Sequence, residues 1–249
     1  MDTLVFIGMS FESFIIVIAS ILLALILRKY YEKNKHKLTL YLFLIFLFYV
    51  IAIFFSWFSK ILVLYSNIDY IAYNSLLPDP GTVLSWIILR ITDFRISFVF
   101  LTIAIFISYI LKVNIFEKDY KKTHKVIVII YSIVTVLYSL LIYQKDNDLL
   151  DAIAILLIFI FMAMIYIPFL YSSVSSYKSS QEKKFKNAFL SLALMAIFFI
   201  LVPFNFLLDR LLILFGGPGF SVFYFLAWIF VLLGIIASYY GYIRPRTPN

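Results

Sequence analysis

The chain has 249 residues, 64% of them hydrophobic and 20% aromatic, with only 14% charged and a mean hydropathy of +1.04. Soluble domains carry about 25% charged residues, so this composition excludes a water-facing globule, and its hydrophobicity excludes a disordered chain. The absence of cysteine excludes disulfides, thiolate metal sites and a cysteine nucleophile. What remains is an all-α integral membrane protein, with residues 1–249 forming a single transmembrane domain.

Crossing a bilayer core about 30 Å thick takes about 20 apolar helical residues. Seven runs meet that length, at about residues 4–27, 38–57, 82–111, 126–143, 150–171, 188–208 and 220–243. They are too long for strands and lack a sustained period of two, so a seven-helix bundle is expected rather than a barrel. The first run follows Asp2 rather than a basic segment and reads as a retained span, not a cleaved signal. The connection at 58–81 carries Tyr65, Tyr70 and Tyr73; it reads either as an interfacial helix over the outer mouth or as a plain surface loop. Residues 172–180, rich in serine, read as a flexible linker.

Orientation follows from the loop charges. Sixteen of the 21 Lys and Arg fall after helices 1, 3, 5 and 7, while nine of the 13 Asp and Glu fall on the other side. This places the N-terminus outside and the C-terminus in the cytoplasm, as in a multi-pass cell-membrane protein. The same asymmetry accounts for the net charge of +8 without a nucleic-acid partner. The basic loops serve as topology signals, or dock anionic lipid or a cytoplasmic protein partner. The Lys, Ile, Phe and Tyr bias suggests an AT-rich prokaryotic genome.

Helix 3 is short of apolar residues. Outward from Lys112 its uncharged run covers residues 96–111, about 24 Å of helix, which leaves Arg95 in the hydrocarbon margin with Asp93 and Arg90 above it. Helix 1 repeats this, with residues 13–27 uncharged and Glu12 at nearly the same depth. Because an isolated ion in the bilayer is costly, a Glu12–Arg95 ion pair is expected. At about 100° per residue, Trp86, Arg90, Asp93, Ser97 and Ser108 form one stripe, with Arg90–Asp93 an i,i+3 pair, and Arg95 and Thr102 form a second. Polar groups on two faces place helix 3 centrally. Helix 6 adds Pro203, a kink whose freed carbonyl Asn205 or water would satisfy, together with Asp209 and Arg210.

These residues define a candidate outer vestibule of Glu12, Trp86, Arg90, Asp93, Arg95, Asn205, Asp209 and Arg210. It reads as a pocket for a small polar or anionic ligand, or as ion pairs that orient the helices. His36 and His124, the two histidines, lie in basic loops, so no metal or other cofactor is expected. No HExxH, GxSxG or P-loop motif occurs, and an enzyme is not expected.

Seven helices with an outer N-terminus is similar in topology to rhodopsins, to G-protein-coupled receptors and to sensor modules of prokaryotic kinases. No motif extends the likeness. Residues 211–243 hold no lysine to anchor retinal, and the inner ends of helices 3 and 7 read Ser108-Tyr109-Ile110-Leu111-Lys112 and Ser238-Tyr239-Tyr240-Gly241-Tyr242 rather than receptor signatures. The expected function is a receptor-like or sensory protein that signals to a cytoplasmic partner. The alternatives are a small-solute transporter or channel, or a structural subunit of a membrane complex.

Overall fold

A computed structural model describes residues 2–32, 36–65, 83–117, 121–144 and 147–243. In chain order the helices are α1 (Asp2–Glu32), α2 (Lys37–Tyr65), α3 (Val83–Thr92), α4 (Arg95–Phe116), α5 (Lys122–Leu141), α6 (Asp148–Ser179), α7 (Lys183–Leu214) and α8 (Val222–Ser238), followed by a π-helical turn at Tyr239–Ile243. Among the described residues there is no strand. All of these helices except α3 are long and apolar enough to cross a membrane, α8 with its π turn counting as one span. The chain is a seven-helix transmembrane bundle. A helix satisfies its own backbone groups where no water is present to do so.

Three expectations change. The third span is two helices, α3 and α4, meeting at Asp93 and Phe94. Phe94 adopts the left-handed conformation (φ 61°, ψ 7°), which stops the helix and restarts it in a new direction. The serine-rich stretch is helix almost to its end, because α6 runs to Ser179; Ser172 Oγ turns inward and donates to the Pro168 carbonyl at 2.9 Å. Most spans also exceed their apolar runs, and α2 continues past Trp57 to Tyr65. The possible lid residues 66–81, including Tyr70 and Tyr73, lie outside the described residues, as do Arg244 and Arg246.

Six spans enclose the interior. α1 lies between α2 and α8, α2 also meets α4, α4 meets α6, and α6 and α7 lead round to α8. α5 stands outside this ring against α4 and α6, and exposes Val126, Ile130, Ile133 and Leu137 along one face, as a lipid-facing helix should. α4 contacts α2, α3, α5 and α6, the central position its two polar lines required.

In a bilayer, helices associate through close packing rather than expulsion of water. Gly234 of α8 shows this. A Cβ placed there would sit 2.5 Å from Phe199 Cε1, and that ring is hemmed by Tyr49 and Tyr166, with centroids at 5.3 and 5.7 Å. Gly234→Val is therefore expected to cost about 1–3 kcal/mol, read as a lower melting temperature in detergent. Adding Phe199→Leu should recover part of that loss. No change in melting would show that α7 and α8 are not packed this way.

Candidate functional site

The buried charged residues other than Lys112 lie toward the end of the bundle that carries the N-terminus. Because α2 extends past Trp57, it carries Lys60 inside the bundle at 2% exposure, opposite Glu12 of α1 at 0%. Lys60 Nζ donates to Glu12 Oε1 at 2.8 Å and to the Ser56 carbonyl at 3.1 Å. The same Glu12 oxygen accepts from Ser56 Oγ at 2.9 Å and from Tyr224 OH of α8 at 2.8 Å, while Oε2 has no partner. The rings of Phe94, Tyr224 and Phe220 surround the ammonium at 4.7, 5.5 and 5.9 Å, where their π faces favour a cation. One buried pair thus ties α1, α2 and α8 together.

A second cluster uses the break at Phe94. Arg95 points to α6, where Nη2 and Nε donate to Asp151 Oδ1 at 2.7 and 3.1 Å. Asp93 accepts from Tyr143 OH at 2.6 Å. Arg90 lies between the rings of Trp86 and Tyr143, at 4.1 and 4.8 Å. It donates to the Leu140 carbonyl at 2.6 Å and the Trp86 carbonyl at 3.1 Å. Leu140 is in the last turn of α5, whose carbonyls lack helical partners and carry the negative end of the helix dipole.

The expected Glu12–Arg95 pair is therefore replaced by Glu12–Lys60 and Arg95–Asp151. Matched depth was not enough. α1 meets α2, whose Lys60 reaches the carboxylate, while the turn at Phe94 directs Arg95 toward α6. The expected Arg90–Asp93 bond gives way to two carbonyl acceptors for Arg90 and to Tyr143 for Asp93. Asn205 does not take up the carbonyl that Pro203 frees, which belongs to Phe199; its Nδ2 donates to the Leu201 carbonyl at 2.7 Å.

Behind these clusters lies a cavity of about 140 Å³. Its walls come from α1, α2, α4, α6, α7 and α8, and are chiefly aliphatic and aromatic, with Ser56, Ser97 and Tyr49 among the polar members. Of the eight vestibule residues, Asp209 and Arg210 line it. Asp209 Oδ1 accepts from Ser221 N at 2.8 Å and Ser221 Oγ at 2.6 Å, at the start of α8. Glu12 sits behind the wall, bonded to Ser56 and Tyr224, which both line the space. At the far side Tyr49 OH and Tyr166 OH are 2.9 Å apart, with Ser108 Oγ 3.0 Å from Tyr166. Beyond them lies a void of only about 10 Å³, no more than one water. Among the described residues no three His, Asp or Glu side chains gather to hold a metal.

Lys60, Asp151, Tyr143 and Tyr224 were not legible as site residues. Lys60 had a signal: apolar Ile61, Leu62, Val63 and Leu64 follow it, so the run resumes beyond the charge. Asp151 had none, because residues 152–177 are uncharged and cross a bilayer with length to spare.

No protein-family model, curated protein or solved structure matches this chain.

Proposed function

We propose that this chain is a receptor-like membrane protein that binds a small molecule in the cavity at its N-terminal end. That end faces outward, and the basic loops face a cytoplasmic partner. The observation that carries the reading is the wall of the cavity, to which six of the seven spanning helices contribute. An occupant would bear on all six at once, so its differential affinity can bias their arrangement. Pro203, which lines the cavity on α7, supplies a helix deformable enough to respond. The chain is read as a binding protein rather than an enzyme.

A transporter is the second reading, favoured by one feature. The tyrosine and serine hydroxyls at the cavity floor are polar groups at a depth where a transport path would continue. The absence of cysteine makes a clean test. Single cysteines at Ser97, Leu101 and Ser108 would be exposed to a small, impermeant methanethiosulfonate reagent from each side. A binding cavity predicts reaction at 97 and 101 from the N-terminal side in intact cells, and none at 108 from either side. Reaction at 108 from the basic side would establish a transport path. Silence at all three positions would leave only a helix-orienting latch.

A further inference from the structure

The cationic groups at this end differ in what they already hold. Lys60 is bonded to Glu12, Arg95 to Asp151, and Arg90 to two backbone carbonyls. Among the described residues, Arg210 is the cation here with no hydrogen-bonded acceptor. It lies over the Phe94 ring at 5.4 Å and feels Asp93 and Asp151 through space without contacting either. It also lines the cavity and is half-buried.

Two further donors stand in the same wall. Ser97 Oγ is buried without a hydrogen-bond partner, and the Trp228 indole N–H is buried beside Tyr224, their residues 7% and 4% exposed. An indole N–H can only donate, and a guanidinium has no acceptor. The carboxylate in the wall, Asp209, has its Oδ1 committed to Ser221 at the positive end of the α8 dipole. The cavity therefore offers unmet donors against an apolar lining. A cationic head would meet Arg210 as a like charge. A sugar would leave most of its hydroxyls facing hydrocarbon.

Resting on the ligand-binding reading above, we infer that the occupant is a single-chain amphiphile: an anionic carboxylate head taken by Arg210, with its apolar body in the cavity. Arg presents the planar fork that matches a carboxylate. The volume suits a short chain or a single ring, since a cavity near 150 Å³ accepts benzene. A two-chain lipid is too large to enter it.

The test uses the full chain in discs of neutral phosphatidylcholine, titrated with octanoate, 1-octanol and octylamine and followed by tryptophan fluorescence and melting temperature. Octanoate is expected to bind about 10- to 100-fold more tightly than octanol, the effect of a hydrogen bond to a charged group, with octylamine weakest. Arg210→Gln should abolish that preference while leaving octanol binding intact, which also shows that the variant is folded. Octanol binding equal to octanoate, or an unchanged octanoate affinity in Arg210→Gln, would overturn the carboxylate assignment alone. If neither molecule binds, the ligand-binding reading itself falls. Repeating the titration with phosphatidylglycerol in the discs separates the sources: a free carboxylate keeps its affinity, whereas a lipid headgroup bound at Arg210 would compete with it.

Discussion

Lys60→Met is expected to destabilise the bundle by about 3–5 kcal/mol, because it leaves Glu12 as an uncompensated buried charge. Glu12 is fully enclosed, and one of its oxygens already lacks a partner. Without the ammonium, the other oxygen retains only the Ser56 and Tyr224 hydroxyls. For a chain of this size the loss corresponds to a melting temperature lower by roughly 10 °C. In Glu12→Gln/Lys60→Met both charges are gone, and the amide oxygen can still accept from Ser56 and Tyr224. The double variant should melt well above the single Lys60→Met protein. A double variant whose loss equals the sum of the single losses would show that the two side chains do not meet.

Asp151→Leu should be similarly damaging, again about 3–5 kcal/mol, for a complementary reason. The Arg95 side chain is 0% exposed, whereas that of Asp151 is 18% exposed. Removing the carboxylate strands the more deeply buried partner, and a guanidinium does not shed its proton to escape. Nη1 of Arg95 already has no acceptor, so the loss of Asp151 removes the acceptor of the two remaining nitrogens. Asp151→Asn should be milder, since its amide oxygen still accepts. Arg95→Met/Asp151→Leu should be less harmful than the two single losses combined. Glu12→Gln and Arg95→Met should instead add to within about 0.3–0.5 kcal/mol, as independent sites do. Strong coupling between Glu12 and Arg95 would mean that α1 and α4 meet after all.

The buried ions were legible in part. Charge arithmetic on helices 1 and 3 located Glu12 and Arg95 correctly as buried ions at one end of the bundle. It chose the wrong partners because depth is a single coordinate, and a pairing also needs two helices to be neighbours with the right rotation. The stripe drawn along helix 3 assumed an uninterrupted helix. Nothing local marks Phe94 for a left-handed conformation, which a bulky residue rarely adopts. Its ring lies between Lys60 and Arg210, at 4.7 and 5.4 Å from the two cations, and those contacts come from α2 and α7. Arg210, grouped with the other ions in the sequence, is distinguished only by what its neighbours have already taken.

Hydropathy summed along the chain was enough to establish seven spans, because the oily slab imposes the same length requirement on every helix whichever helices surround it. The uneven distribution of lysine and arginine likewise needs no fold to be counted. Tertiary structure decided which helix touches which, that α5 stands outside the ring, where the third span breaks, and that the space behind the charges is lined by hydrocarbon. Those outcomes depend on side-chain shape and helix rotation across distant parts of the chain, where a local sum carries no information.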